Sequence, residues 1–193
     1  MSTFVLDQDR VATFYKNNTA QIKQILGESC INIEYQTDQI CKLLDKYSNI
    51  DFISIKNNCV FGISARVNFT QHTQQHLTIR YKRKNGAITE YEKALQVYER
   101  NYDSPLISSY HVQMDSSPDM IMQRAIVVNK KQLIETIEAN KEYFVHNYLN
   151  TVKDDGNTFF KIPYDYFRSN KNITSKSYDR VPTASPLLSI ALE

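Results

Sequence analysis

The stretch Asp51-Phe52-Ile53-Ser54-Ile55-Lys56-Asn57-Asn58-Cys59-Val60-Phe61-Gly62-Ile63-Ser64-Ala65-Arg66-Val67-Asn68-Phe69 decides how this chain folds. Asp51 to Ile55 reads as a short strand, Lys56-Asn57-Asn58 as a turn, and Cys59 to Phe69 as a second strand. β-Branched and aromatic residues suit a pleated, half-buried surface, whereas asparagine tolerates turn backbone. A period of two on the second strand sets Ser64 and Arg66 on one face and Ile63, Ala65 and Val67 on the other.

C-terminal to this stretch, Leu77 to Arg83 forms a third strand, with Thr78, Arg80, Lys82 and Lys84 on one face against Leu77, Ile79 and Tyr81. Asn85-Gly86 closes it. Thr89 then starts a helix to about Tyr102, with Ile88 before the cap and Leu95 and Tyr98 on one side. A fourth strand runs from Ile107 to Met114, and Asp115-Ser116-Ser117-Pro118-Asp119 is a loop. Ile121 to Val128 is a fifth strand, and Lys130 to Asn150 a long amphipathic helix carrying Leu133, Ile134, Ile137, Phe144 and Tyr148 at the helical period. Thr158 to Phe167 mixes aromatics with Pro163, Ser169 to Ser185 reads as a polar loop, and Pro186 to Glu193 is a short apolar end able to dock on the body or on a partner.

Before the stretch, Asp7 or Asp9 caps a helix to Leu26, burying Val11, Phe14, Tyr15, Ile22, Ile25 and Leu26, and Gly27 stops it. Thr37 caps a second helix to Tyr47, where Ile40, Leu43, Leu44 and Tyr47 fall at helical spacing. Three strands in short succession imply antiparallel neighbours, and the helix before the fourth strand allows a parallel crossover. The expected fold is α/β (α+β), a mixed central sheet flanked by helices. Residues 1–34 form a helical extension, 35–150 the core and 151–193 an irregular extension, within one compact domain.

Composition narrows the function more by exclusion than by pointing. The chain has 193 residues, 41% hydrophobic and 23% charged, which is globular and large enough for one sizeable core. A net charge of +2 does not by itself announce a nucleic-acid partner. Thirteen tyrosines and nine phenylalanines with no tryptophan suit amphipathic contact surfaces and core positions alike, so this composition does not choose between them. No apolar run reaches signal-peptide or membrane-span length, so the expectation is a cytoplasmic protein with no membrane contact. Cys30, Cys41 and Cys59 are odd in number and widely spaced, which reads as reduced packing thiols. Four glycines in all, Gly27, Gly62, Gly86 and Gly156, leave no P-loop or dinucleotide fingerprint. There is no Gly-x-Ser-x-Gly elbow and no His-Glu-x-x-His helix. His72 and His76 read as exposed histidines in a polar loop.

One constellation carries chemistry. Asp51 opens a strand, and Glu90 and Glu92 open the helix that follows the third strand, so Asp51 with either glutamate offers oxygen ligands for Mg²⁺. Arg66, Arg80 or Lys93 supplies a cation for a scissile phosphate, and Arg80, Lys82 and Lys84 form a stripe able to track a phosphate backbone. If the strands pair, Arg66 and the Arg80 stripe share a surface. A bland reading stands beside this one. Acids at a helix N-terminus complement its dipole, and alternating basic residues mark a solvated or protected strand.

The segments Ile50-Asp51, Gly62-Ile63-Ser64-Ala65-Arg66-Val67, Thr78-Ile79-Arg80-Tyr81 and Gly86-Ala87-Ile88-Thr89-Glu90-Tyr91-Glu92-Lys93, with Tyr110-His111-Val112-Gln113 and Ala125-Ile126-Val127-Val128, resemble bacterial, phage and mobile-element proteins with a PD-(D/E)xK nuclease-like core. The resemblance covers about Tyr35 to Ala139. It implies a restriction-endonuclease-like core with N- and C-terminal extensions. It also implies a metal site at Asp51, Glu90 and Glu92, with Asp51, Glu90, Arg66 and Lys93 as catalytic residues. The family's acid-x-Lys is replaced here by Ser64-Ala65-Arg66, so Glu90 or Glu92 would be a displaced ligand and Arg66 would stand for the lysine. Arginine stabilises phosphate charge but is always protonated and cannot act as a base. Two functions follow as expectations. One is a Mg-dependent nuclease-like protein of a phage or mobile element acting on DNA or RNA, with Arg80, Lys82 and Lys84 on nucleic acid. The other is an inactive binding protein that docks on a host protein as an inhibitor or anti-defence factor.

Overall fold

A computed structural model describes residues 3–69, 75–99, 108–152 and 156–179. His72, the end of the helix expected to reach Tyr102, Ile107 and the apolar end Pro186 to Glu193 lie outside these described residues.

The hairpin at the centre of the sequence reading forms as the alternation requires. β2 (Phe52–Lys56) and β3 (Cys59–Asn68) pair antiparallel, with Lys56 opposite Cys59. Asn57 (φ 49°) and Asn58 (φ 61°) between them are both left-handed, the backbone that a two-residue hairpin turn demands. β3 then pairs in parallel with β5 (Tyr110–Ser116), and β5 pairs antiparallel with β6 (Met122–Asn129). Short strands close the two edges, β1 (Ile31–Asn32) on β2 and β9 (Ser175–Tyr178) on β6, giving one mixed six-stranded sheet in the order β1-β2-β3-β5-β6-β9. β9 falls inside the segment expected to be loop. Its Ser-Lys-Ser-Tyr sequence has too few apolar residues to signal a strand, and pairing with β6 creates it.

β4 (His76–Lys82) corrects the sequence expectation. It does not continue the meander but pairs with β8 (Thr158–Pro163), which with β7 (Leu149–Thr151) makes a second, antiparallel sheet in the order β4-β8-β7. The polar segment between β3 and β4 is longer than a tight turn and imposes no hairpin. β8 offers β4 a matching alternation, since Leu77 and Ile79 on β4 and Phe160 and Ile162 on β8 are all fully buried.

Helices cover both faces of the large sheet. α1 (Thr3–Asn17) and α2 (Thr19–Leu26) pack Phe14, Tyr15, Ile22, Ile25 and Leu26 onto Phe52, Ile63, Val112 and Met114. α1 begins at Thr3, ahead of the expected Asp7 or Asp9 cap. The two helices are separated at Asn18, which is buried. Its side chain donates to Phe14 O and Met120 O and accepts from Met122 N, pinning the break to the β5–β6 turn. Gly27, at φ 105°, ends α2 in a conformation that side chains rarely adopt.

On the opposite face, α4 (Glu90–Glu99), α5 (Lys130–Ala139), α6 (Lys141–Tyr148) and α7 (Tyr164–Ser169) enclose a second core with the small sheet. Leu133, Ile134, Ile137 and Phe144 meet Ile126, Val128 and Phe160 there. Each such side chain contributes about 1.5–3 kcal/mol on burial. Asn140 divides the helix expected to run unbroken to Asn150 into α5 and α6.

α3 (Gln39–Ser48) is capped by Asp38, one residue after the expected Thr37, and the Asp38 carboxylate accepts from Ile40 N and Cys41 N. Ile40 and Leu43 on this helix stay exposed, as do Ile31, Ile55 and Val60 on the first three strands of the sheet. Of the cysteines, Cys30 is buried as expected and its thiol is pushed up to about 12 by that burial, whereas Cys59 is exposed at the hairpin turn. No helix among the described residues is long and apolar enough to cross a membrane.

Candidate functional site

Thr89 and Glu92 make a capping box at the start of α4. The Thr89 backbone N–H and hydroxyl both donate to Glu92 Oε2, and Glu92 N donates back to Thr89 Oγ1. Glu92, expected as a metal ligand, is committed to holding its own helix.

Glu90 turns the other way, into the space between α4 and the polar face of β3 and β5. Its Oε1 lies 2.8 Å from Lys130 Nζ and 3.2 Å from His111 Nδ1, and its Oε2 lies 3.4 Å from Arg66 Nη2. Lys130 and His111 are fully buried and Glu90 nearly so. Lys130 also donates to Ser108 Oγ at 2.6 Å, and His111 Nδ1 lies 2.8 Å from Ser64 Oγ. Burial alone would raise the Glu90 carboxyl. Lys130, His111 and Arg66 outweigh it and hold the group well below the usual carboxylate range. Burial lowers His111 despite Glu90, so the imidazole is neutral. A neutral ring beside a carboxylate keeps its proton on Nδ1, and among the described residues the buried Nε2 has no partner. Ser64, His111 and Glu90 therefore converge on one ring nitrogen, not on opposite sides of the ring as a nucleophile–base–acid relay requires.

Asp51 sits where β2 ends short of β3. Its backbone N–H donates to Ile63 O, and its carboxylate accepts from Ala65 N, the next β3 donor that β2 does not reach. Burial, and then the negative charge of Glu34, hold Asp51 well above the usual range, and Glu90 adds to that opposition. Burial and Asp45 push Glu34 up to about 7. Lys93, placed on phosphate by the sequence reading, donates from Nζ to Asn49 Oδ1 at 3.2 Å, where burial lowers its pKa. The fold thus gathers Asp51, Glu90, Arg66 and Lys93 into one electrostatic neighbourhood.

These donors do not fit Mg²⁺. Glu90 spends both oxygens on three nitrogen donors, Glu92 caps α4, and Asp51 is biased towards its protonated form. Among the described residues no group of three His, Cys, Asp or Glu side chains could hold a metal ion.

A second arrangement lies where the two sheets meet. Thr78, on the outer edge of β4, donates its N–H and hydroxyl to Gln113 Oε1 of β5 at 3.1 and 2.7 Å, and Gln113 Nε2 donates to Arg66 O. Arg80 stands opposite Phe159 across β4 and β8, and its guanidinium carbon is 5.3 Å from the Phe159 ring centroid. The Arg66 guanidinium reaches the same ring from β3, at 5.7 Å. Arg66 and Arg80 therefore share a surface as expected, although their strands belong to different sheets. Lys161 stands opposite Thr78 on the same side of the small sheet.

Lys82 departs from the expected stripe. A bulge after Arg80 sets Lys82 opposite Thr158, so it turns to the other side, where its Nζ is 5.4 Å from the Tyr81 ring. Lys84 is exposed beyond the strand, its stem close to Gly156. His76, expected in a loop, is the first residue of β4 and partly buried.

Lys130, His111, Ser64, Ser108, Phe159, Lys161 and Gln113 were not singled out as site residues by the sequence. For Lys130 a signal exists: Lys130 and Lys131 open a helix, where the dipole disfavours cations and a carboxylate partner is called for. No protein-family model, curated protein or solved structure matches the chain.

Proposed function

We propose that this chain binds nucleic acid at the seam between its two sheets, and that its carboxylates serve to position cations and not to hold a catalytic metal. The observation that carries the reading is the pair of guanidiniums, Arg66 and Arg80, gathered on the half-buried Phe159 ring with Lys161 one row away. On the seam side β4 and β8 bring Arg80 and Lys161, and neither strand contains an Asp or Glu. Glu90 belongs to the same device: anchored by Lys130 and His111, it steadies Arg66 at the ring. The reading keeps the restriction-endonuclease-like core and the nucleic-acid partner implied by the PD-(D/E)xK resemblance, and gives its acids a structural task.

The test is fluorescence anisotropy with labelled oligonucleotides across a salt series, comparing wild type with Arg80→Ala and Lys161→Ala. Binding should weaken steeply with salt, and each lost cation should flatten the log–log slope by about 0.7–0.9. No binding at low salt, or a slope unchanged in both variants, refutes the proposal. A second reading, docking on a host protein, has one observation of its own: Ile31, Ile40, Leu43, Ile55 and Val60 are exposed apolar side chains. Such a contact should be nearly insensitive to salt and should fail in Ile40→Ser/Leu43→Ser without loss of oligonucleotide binding.

A further inference from the structure

Within the nucleic-acid reading, on which this inference rests, we infer that the ligand is a single strand and that Phe159 receives one of its bases. The Phe159 ring holds both guanidiniums by cation–π contact, and phosphate uses only their charge. A platform of ring and guanidinium also stacks a base, which is free to use it only when unpaired. Phe159 is not spent in the core. Its neighbour Phe160 points into the second core and is fully buried, while Phe159 lies on the opposite side of β8, partly exposed beside Arg66 and Arg80. Guanidinium planes stack on bases as well as on rings, so the two arginines extend the platform while supplying charge. Arg66 is held by Glu90 through Nη2, which fixes its guanidinium beside the ring.

The spacing points the same way. Lys161 and Phe159 are two residues apart on β8, and so are their partners Thr78 and Arg80 on β4. At ~3.3 Å per residue the rows are about 6.6 Å apart. That separation is within reach of one nucleotide, so Lys161 can hold the phosphate while Phe159 takes the base.

Anisotropy with a labelled oligothymidylate and with a duplex of equal length, using wild type, Phe159→Leu and Phe159→Trp, tests the inference. Leucine keeps apolar volume and removes the ring, and thermal melting of each variant confirms that it folds. The single strand should bind wild type more tightly than the duplex. Phe159→Leu should weaken it about tenfold to a hundredfold with the salt slope unchanged, and Phe159→Trp should bind at least as well as wild type. Duplex affinity should not respond to either variant. Equal affinity for both oligonucleotides, or Phe159→Leu binding as wild type does, overturns the single-strand inference and leaves the nucleic-acid reading standing. Failure of both oligonucleotides to bind wild type at low salt removes both.

Discussion

Replacing Lys130 by methionine should destabilise the protein by about 3–5 kcal/mol, the cost of stranding one partner of a buried ion pair. The structure sets the terms. Lys130 Nζ is 2.8 Å from Glu90 Oε1 and 2.6 Å from Ser108 Oγ, with the lysine fully buried and Glu90 8% exposed. Methionine fills the stem's volume and removes only the charge and its donors, so no large cavity confuses the result. Glu90 keeps Arg66 at 3.4 Å and neutral His111 at 3.2 Å, which places the cost towards the lower end of the range. For a chain of this length the loss should appear as a fall in Tm of about 6–20 °C.

Urea unfolding of wild type, Lys130→Met, Glu90→Gln and the double variant at pH 7 gives the coupling as well as the cost. The double variant should be more stable than the two single losses predict, by about 1–3 kcal/mol. Glu90 is depressed in the folded state, so its contribution is present above its unfolded value and is lost as pH falls through the folded value. Removing Lys130 raises the folded value, so Lys130→Met should lose less stability than wild type below about pH 4.5. A Tm within about 2 °C of wild type with a coupling under about 0.5 kcal/mol would refute the buried cluster as described.

Three further outcomes are expected. Glu34 is raised to about 7 by burial and Asp45, so its contribution is present below its unfolded value and is lost as pH rises through 7. Glu34→Gln should therefore melt progressively higher than wild type from pH 5 to pH 8, and a constant difference across that range would count against the raised carboxyl. Ser29 Oγ donates to Ile55 O and accepts from Ile55 N, sealing the open edge of β2. Ser29→Ala should cost about 0.5–1.5 kcal/mol in urea unfolding and increase concentration-dependent association in light scattering, the latter absent if the edge is otherwise guarded. Thr89→Ala should cost about 0.5–2 kcal/mol by loss of the α4 cap, and Mn²⁺ titration calorimetry should not distinguish Glu92→Ala from wild type. A manganese site lost in Glu92→Ala would return that residue to metal binding.

What could be read from the sequence was local. Asn57-Asn58 between two alternating segments specifies a hairpin, because the turn and the period each allow only one register, and Lys56 does stand opposite Cys59. The α1–α2 apolar stripe and the strands β5 and β6 are legible for the same reason, each element carrying its own period. The position of β4 is not local. Leu77, Ile79 and Tyr81 show which side of the strand is buried, but alternation says nothing about which strand lies alongside, and the partner stands some eighty residues later at Phe160 and Ile162.

The same limit governs the site. Asp51, Glu90, Arg66 and Lys93 could be singled out because metal chemistry needs acids beside bases, and the fold does gather them. Sequence could not say whether the acids face an opening or one another's counter-ions. The answer turns on Lys130, whose place at a helix start calls for a carboxylate without saying which, and on His111, which lies in a strand with no signal of its own. A carboxylate binds a cation it can still reach with free lone pairs. With Lys130, His111 and Arg66 taking three of the roughly four lone-pair sites of Glu90, the same residue types at nearly the same place do different work: they fix a guanidinium beside an aromatic ring. The chemistry available to an acid–base cluster is thus set by which partners the core delivers to it, and here the core delivers cations from within, leaving the outward-facing reach to Arg66, Arg80 and Phe159.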